Sequence, residues 1–236
     1  MIIAGLQKTT LIDYPGKLAC VVFLAVCNFR CPWCYSAELV LPVKIAKQPR
    51  LSEKEFFDFL RQRKGLLEGV VLCGGEPTVN KELPKFIEKI KGMGFSVKLD
   101  TNGSNPKMLK DLVGRGLVDY VAMDIKASLK NPIYKNIIGE EIKLENIEES
   151  VEFLKNSDID SEFRTTAVDT IHKKEDFLEI AKWISGPDVK YYLQNFRPEK
   201  TIDPEFEKVK PYPKEFLEGI VKEISPYFKV CQIRQS

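Results

Sequence analysis

The sequence predicts an α/β fold, a partial (β/α)6 TIM-type barrel in which parallel strands are joined by crossover helices. Short apolar runs of β type alternate with segments whose apolar residues recur every three or four positions. Polar or glycine-rich residues follow every predicted barrel strand. Six strand–helix units are fewer than the eight of a closed barrel, so an open barrel fits better, and a doubly wound sheet is the alternative.

The predicted barrel strands are short runs rich in β-branched and aliphatic residues. A further run, Phe228–Ile233, is predicted to add an edge strand. Four prolines with mixed charges indicate that Pro198–Pro213 is an irregular loop rather than a linker between domains. In chain order the barrel strands are Leu18–Leu24, Gly69–Leu72, Phe95–Leu99, Tyr120–Ile125, Ser161–Val168 and Val189–Phe196.

Helices are predicted between these strands from capping residues and apolar spacing. Ser52 and Glu55 form a capping box before the apolar residues of the first helix. Pro106 lies just inside the third helix, where its missing N–H is tolerated. The other helices are predicted around Leu83–Ile90, Leu144–Leu154, Phe177–Ile184 and Leu217–Ile224.

Composition limits the classes of protein that the chain can be. Its 236 residues, 44% of them hydrophobic, are enough for one large core, and we expect a single domain over residues 1–236. The net charge is +2 and no basic block stands out, which argues against nucleic acid and membrane partners. No apolar run is long enough for a transmembrane helix, and the opening residues lack signal-peptide features, so we expect a cytoplasmic protein.

Three cysteines, Cys27, Cys31 and Cys34, lie in one short run directly after the first predicted strand. Iron–sulfur clusters usually take four cysteine ligands. No fourth cysteine is near, so the run predicts a cluster with one iron open to another ligand. A structural zinc site is the alternative, but it needs four ligands, and the single histidine, His172, lies far along the chain. We expect His172 to be a surface or loop residue, and the other cysteines to be buried thiols.

Polar or glycine-rich groups stand at the carboxyl ends of all six predicted barrel strands, where parallel α/β folds place their active sites. Ordinary polar turns would be the simpler explanation, but the recurrence on every strand favours one shared site. In strand order the groups are the cysteine run, Cys73–Thr78, Asp100–Gly103, Asp124–Lys126, Arg164–Thr166 and Gln194–Asn195.

Several of these groups suit different parts of one ligand. The paired glycines Gly74 and Gly75 allow a ligand to approach the backbone closely, and Glu76 could receive an amine. Asp100 and Asn102 could bind ribose hydroxyls. The groups therefore suit a ligand with an amino acid end and a nucleoside end.

The fourth strand carries Asp124 and Lys126, which are two residues apart and so lie on one face of the strand. This pair could bind the carboxylate of such a ligand, directly or through a bound cation. A structural salt bridge between the two side chains is the alternative interpretation.

These residues resemble the radical S-adenosylmethionine superfamily. The resemblance rests on the run Cys27–Cys34, with Trp33 before its last cysteine, together with the segment Gly74–Pro77. The opening segment Gly5–Lys17 is similar to that of the activating proteins of anaerobic ribonucleoside-triphosphate reductase, within the glycyl-radical enzyme activases. The resemblance covers nearly the whole chain and is weak across Ile133–Asn156 and Pro198–Pro213.

The resemblance implies a 4Fe–4S cluster held by Cys27, Cys31 and Cys34, with S-adenosylmethionine chelating the fourth iron. Trp33 matches the position beside the adenine. In one activase branch a monovalent cation lies by the carboxylate of S-adenosylmethionine, and Asp100, Thr101, Asp124 and Arg164 match that site. The cofactor-binding residues implied are Trp33, Tyr35, Gly74, Gly75, Glu76, Pro77, Asp100, Thr101, Asn102, Asp124, Lys126 and Arg164.

The resemblance also implies an activity. S-adenosylmethionine would be cleaved reductively to a 5′-deoxyadenosyl radical, which takes a hydrogen atom from a glycine of a partner enzyme. The partner that the resemblance implies is anaerobic ribonucleotide reductase. The cofactor carries the chemistry, so no catalytic residue beyond the cluster and S-adenosylmethionine is expected. A flavodoxin or ferredoxin would supply the electron, and the oxygen lability of such a cluster suggests an anaerobic cell.

The sequence departs from the activases at three places. Ser36 stands where many activases have asparagine, no second cysteine-rich insertion follows Cys34, and Leu193–Phe196 lacks a histidine that several activases have on their last strand. Two other functions stay open. One is radical chemistry on another glycyl-radical enzyme or on a small molecule, as in 7-carboxy-7-deazaguanine synthase. The other is a non-enzymatic binding module that kept the fold.

Overall fold

The structure, a computed structural model, describes residues 1–137 and 143–234. Its strands alternate with helices along most of the chain, as predicted. The strands are β1 (Ile3–Thr10), β2 (Ala19–Leu24), β3 (Gly69–Gly74), β4 (Ser96–Thr101), β5 (Tyr120–Asp124), β6 (Asp160–Ala167), β7 (Gly186–Asn195) and β8 (Phe228–Arg234).

The helices follow the predicted pattern of apolar residues facing the core and charged residues facing solvent. Short 3₁₀ turns lie at Pro77–Val79, Pro204–Lys208 and Ser225–Tyr227. The α-helices are α1 (Ala37–Val40), α2 (Pro42–Ile45), α3 (Glu53–Gln62), α4 (Leu83–Gly92), α5 (Pro106–Gly114), α6 (Ile133–Ile137), α7 (Leu144–Lys155), α8 (Lys174–Ile184) and α9 (Lys214–Ile224).

The sheet order follows the chain from β1 to β8. The pairs β2–β3, β3–β4, β6–β7 and β7–β8 are parallel, and only β1 pairs antiparallel, with β2, among the pairs described. A parallel sheet with helical crossovers is the expected result of strand–helix alternation. The α/β prediction is confirmed, and the predicted edge strand Phe228–Ile233 is present as β8.

Strand β1 was not predicted. Its outer residues Gln7, Lys8 and Thr9 are exposed, and only Ile3 and Thr10 are buried in the strand. These three consecutive exposed residues interrupt the apolar alternation by which a half-buried strand is recognised in a sequence. The short helices α1, α2 and α6 were also missed, because four or five residues carry too little periodicity to detect.

The chain forms two compact units. The first contains Met1–Asn28, Ser36–Thr101 and Lys107–Val121, and the second contains Phe29–Tyr35, Asn102–Pro106 and Ala122–Ser236. The single domain over residues 1–236 stays a prediction. No helix within residues 1–137 and 143–234 has the length and apolar character needed to cross a bilayer.

Each unit has its own buried core. In the first, Phe56, Phe57 and Phe86 bring α3 against α4 with ring centroids 5.2 to 5.4 Å apart. In the second, the buried Tyr191 donates a hydrogen bond to Thr165 Oγ1 at 2.8 Å, so its hydroxyl is satisfied inside the core.

The capping box at the start of α3 is formed in full. Ser52 Oγ accepts from the Glu55 backbone N–H at 3.2 Å, and Glu55 accepts from the Ser52 N–H at 2.8 Å. We expect Ser52→Ala to lower the free energy of unfolding by about 1 kcal/mol, because it removes the acceptor for an otherwise unpaired helix N–H. Ser52→Thr retains an acceptor and is the control. Equal stability of both variants in urea would contradict this role.

Candidate functional site

The start of the cysteine run is fixed by the glycine-rich segment that follows β3, within the first unit. The Gly75 N–H donates to Leu24 O at 2.7 Å, and the Glu76 N–H donates to Val26 O at 2.8 Å. Val26 has a φ of +78°, which a β-branched residue rarely adopts. These two hydrogen bonds hold this backbone shape one residue before Cys27.

The two glycines are required by how closely the backbones approach. A Cβ at Gly75 would lie 2.1 Å from Val26 O, and one at Gly74, where φ is +113°, would lie 2.5 Å from Leu24 O. The sequence predicts that these glycines let a ligand approach. The structure shows a second reason for them: the backbone of Leu24 and Val26, which leads into the cysteine run, lies too close for a side chain at either glycine.

Glu76 is buried, and its orientation is fixed by three donors. Its Oε1 accepts from the Thr78 N–H at 3.1 Å, from Thr78 Oγ1 at 2.6 Å and from Thr101 Oγ1 at 2.7 Å. Thr101 therefore orients Glu76. A buried carboxylate held in this way is preorganised to receive a cationic group.

Asp100 pairs with a buried lysine on the same strand. Lys98, whose side chain is 1% exposed, places Nζ 2.6 Å from Asp100 Oδ1. Two residues apart on a strand share one face, so β4 itself aligns the pair. Asp100 therefore carries a partly compensated charge at the end of β4.

Asp124, Lys126 and Arg164 form one ion-pair group in the second unit. Asp124 accepts from Arg164 Nε at 2.9 Å and from Lys126 Nζ at 3.0 Å. Burial acts to raise the pKa of Asp124, but the Arg164 and Lys126 charges outweigh it and lower the pKa to about 2. Asp124 and Lys126 therefore form the salt bridge that was the alternative interpretation of this pair.

Lys126 also responds to two cysteines of the same unit. Burial acts to lower its pKa, yet the pKa is raised, first by the Asp124 carboxylate and then by the Cys31 and Cys34 charges. A lysine that remains protonated beside thiols favours their deprotonated form, which is the form that ligates iron. The environment of Cys31 and Cys34 therefore fits ligands of an iron–sulfur cluster.

Trp33 and Tyr35 are packed into the second unit. Trp33 is 4% exposed and meets His172 edge-on, with centroids 6.5 Å apart at 77°. Tyr35 stacks on Phe196 at 5.8 Å and 18°. Their contact with a bound cofactor stays a prediction.

Asn102 begins a tight turn after β4, also in the second unit. Its Oδ1 accepts from the Ser104 N–H at 3.0 Å. Gly103 has a φ of +73°, and a Cβ there would lie 2.0 Å from Met123 Cε. Ser150 Oγ donates to Gly103 O at 2.7 Å, which ties the turn to α7.

The expected surface position of His172 is wrong. The residue lies in a loop but is fully buried, with Nε2 2.8 Å from Lys126 O and Nδ1 accepting from the Val168 N–H at 3.1 Å. Because Nδ1 accepts, Nε2 carries the proton, and the ring is neutral. His172 thus fixes the backbone of Lys126 through the loop after β6. The sequence contains a single histidine, and this was the only feature that could have drawn attention to the position.

Within the described residues, no three His, Cys, Asp or Glu side chains are already gathered to hold a metal ion. The ligand set Cys27, Cys31 and Cys34 therefore stays a prediction that the donor chemistry supports. The monovalent cation site is likewise untested.

Comparison with known proteins identifies the family. A family model described as the radical SAM superfamily matches residues 21–184. The chain belongs to the radical SAM superfamily. The matched stretch runs from β2 to the end of α8 and contains every predicted cofactor-binding residue. The cofactors of this family are a 4Fe–4S cluster and S-adenosylmethionine, which confirms the cofactor prediction.

Two similar proteins from Methanocaldococcus jannaschii carry provisional names as glycyl-radical enzyme activating enzymes. One is 35% identical over 91% of this chain and 87% of its own length. The other is 25% identical over 82% of this chain and 76% of its own length. A 7-carboxy-7-deazaguanine synthase from Thermococcus kodakarensis is 28% identical over 47% of this chain and 50% of its own length.

Solved structures of low sequence identity confirm the radical SAM fold. Streptococcus suis SuiB bound to S-adenosylmethionine has a TM-score of 0.63 at 14% identity, covering 92% of this chain and 51% of that chain. This chain therefore spans about half the length of SuiB. QueE from Escherichia coli has a TM-score of 0.59 at 14% identity, covering 100% of this chain and 93% of that chain.

We expect Gly75→Ala to lower the free energy of unfolding by roughly 3 kcal/mol, because its Cβ would overlap the Val26 carbonyl. Gly92→Ala is the matched control. A Cβ at Gly92 meets nothing within 4 Å in α4, so alanine should raise stability by about 0.5 kcal/mol. Urea unfolding measures both. An unchanged stability in Gly75→Ala would refute the close approach.

We expect one pH-dependent step in stability from His172. Burial lowers its pKa below the ordinary value of 6.5, so the unfolded chain binds a proton that the native protein excludes. Stability should be full above about pH 6.5 and fall below it, by at most about 1.4 kcal/mol per pH unit.

The control is His172→Phe, which keeps a ring against Trp33 and Phe177 but cannot titrate. This variant should be less stable by about 2 kcal/mol at neutral pH, because Lys126 O and the Val168 N–H lose their partner. The difference between the two proteins should shrink below about pH 6.5. A difference that does not depend on pH would show that His172 has the same pKa in the folded and the unfolded chain, as an exposed histidine does.

Proposed function

We propose that the chain is a radical SAM enzyme that activates a glycyl-radical enzyme, and that the partner is anaerobic ribonucleoside-triphosphate reductase. The observation that carries the proposal is the M. jannaschii relative, provisionally named an activating enzyme, which is 35% identical over 91% of this chain. The opening segment Gly5–Lys17, which resembles the reductase activases, supports the choice of partner.

Cys27, Cys31 and Cys34 would hold the 4Fe–4S cluster. When bound, the cluster and S-adenosylmethionine supply a one-electron reductive cleavage that produces a 5′-deoxyadenosyl radical. The chain itself supplies ligands and orientation. Lys126 keeps a positive charge beside Cys31 and Cys34, which favours the thiolate forms required of ligands.

The amino acid end of S-adenosylmethionine would meet two preorganised groups. Glu76, oriented by the Thr78 and Thr101 hydroxyls, offers a carboxylate to the amino group. Arg164 and Lys126 both pair with Asp124 and carry N–H donors of the kind that bind a carboxylate. The remaining cofactor contacts proposed are Trp33, Tyr35, Gly74, Gly75, Pro77, Asp100 and Asn102.

The electron donor proposed is a flavodoxin or ferredoxin, because the reductive step needs a one-electron donor of low potential. The partner proposed is a protein that presents a glycine to the site. No nucleic acid or membrane partner is proposed, since basic and acidic residues nearly balance at 36 and 34.

A small-molecule radical enzyme is the second candidate. It is supported by the 7-carboxy-7-deazaguanine synthase from T. kodakarensis, which is 28% identical. That relative matches only 47% of this chain, so the activase proposal has the broader support.

The test of the radical chemistry is anaerobic reconstitution with iron and sulfide, reduction by dithionite and measurement of 5′-deoxyadenosine and methionine. Cys31→Ala should give less than about 1% of the wild-type product, because three thiolates are needed to leave one iron open. Cys231→Ala on β8 is the control and should keep full product formation. Equal product from both variants would exclude the proposed ligand set.

Electron paramagnetic resonance then separates the two candidates. With S-adenosylmethionine and an anaerobic ribonucleotide reductase, the activase proposal expects a glycyl radical signal that replacement of the acceptor glycine by alanine removes. Product from a tetrahydropterin substrate, with no glycyl signal, would instead establish the small-molecule function.

A further inference from the structure

The segment after β7, residues 197–212, lies against the cysteine run within the second unit, and we call it the strap. Its backbone donates two hydrogen bonds to the run, from the Ile202 N–H to Cys34 O and from the Asp203 N–H to Pro32 O, each at 3.0 Å. At its start, the Arg197 N–H donates to the Tyr35 hydroxyl at 2.7 Å.

Side chains of the strap extend this contact. Phe206 packs against Trp33, the residue directly before the third cysteine, with ring centroids 6.2 Å apart. Tyr212 donates its hydroxyl proton to His172 O and stacks on Phe216 at 4.3 Å. Since His172 also contacts Trp33, Trp33 contacts both a strap residue and a residue that the strap fixes.

The strap has a defined shape of its own. Thr201 is buried, and its hydroxyl donates to Asp203 O at 2.6 Å. Asp203 Oδ1 accepts from the Glu205 N–H at 3.0 Å and caps the 3₁₀ turn. At the far end, Asn195 donates to Tyr212 O at 2.8 Å and accepts from its N–H at 3.1 Å. The strap is thus fixed at both ends and in the middle.

We propose that the strap is a positioning element that orders residues 31–35 before any cluster is bound and slows loss of the cluster afterwards. This rests on the proposed ligand set. Fixing the backbone of each loop residue costs about 1–2 kcal/mol of conformational entropy. If the strap orders the loop during folding, cluster binding does not have to offset this cost. The strap lies outside residues 21–184, the stretch that the family model matches.

The hydrogen bonds of the strap come from backbone N–H groups, so proline is the substitution that removes one. Ile202→Pro removes the donor to Cys34 O, and Ile202→Ala keeps it. Phe206→Ala removes the packing against Trp33, whereas Phe206→Leu retains much of it. Glu207→Ala, at an exposed position of the same 3₁₀ turn, is the control for the strap surface.

The first measurement is hydrogen exchange of the metal-free chain. In Ile202→Pro and Phe206→Ala, the amides of Cys31, Trp33, Cys34 and Tyr35 should exchange about tenfold faster, as expected for one lost hydrogen bond or packing contact. Amides of β6 and β7 should be unchanged, as should all amides in the controls. Uniformly faster exchange through the second unit would mean that the strap supports only general stability, and would overturn the proposal.

The second measurement is the rate at which a chelator removes iron from the reconstituted protein. Ile202→Pro and Phe206→Ala should lose the cluster about tenfold faster than wild type, and Phe206→Leu at nearly the wild-type rate. Wild-type rates in both disruptive variants would overturn the proposal. Neither measurement needs S-adenosylmethionine or a partner. A wild-type chain that takes up no cluster would overturn the proposed function, while hydrogen exchange would still decide whether the strap orders the run.

Discussion

The close approach of Gly74 and Gly75 to the backbone of Leu24 and Val26 is the constraint on which the rest of the site depends. Two parallel strands end there together, and hydrogen bonds from the second segment set the left-handed turn that leads into the cysteine run. No side chain can be accommodated at either glycine. The backbone that delivers Cys27 and the backbone that delivers Glu76 are therefore parts of one local structure.

Each of the two units holds a carboxylate in a fixed orientation. Thr78 and Thr101 orient the Glu76 carboxylate in the first unit, where a cationic ligand group would be favoured. In the second unit Arg164 and Lys126 both donate to Asp124 and fix the position of its carboxylate. Hydrogen bonds thus orient a charged side chain within each unit.

The sequence was sufficient for the parallel strands and long helices, because strong periodicity and a capping box at Ser52 are local signals. The strand-end residues were identifiable for the same reason, since each follows a recognisable strand. His172 could not be placed, because its partners Lys126 and Val168 are determined by tertiary packing alone. The strap contacts Pro32 and Cys34 through backbone hydrogen bonds. Such bonds do not require particular side chains, so the sequence could not predict them.

The polar outer residues of β1, which hid this strand from sequence analysis, also affect how copies of the chain meet one another. An exposed sheet edge can pair with the edge of another molecule and start aggregation. At β1 such an intruding strand would have to pack beside Gln7, Lys8 and Thr9, all exposed and one of them charged. Burying a lysine against a second copy is unfavourable, so the same residues protect the newly made chain from edge-to-edge association.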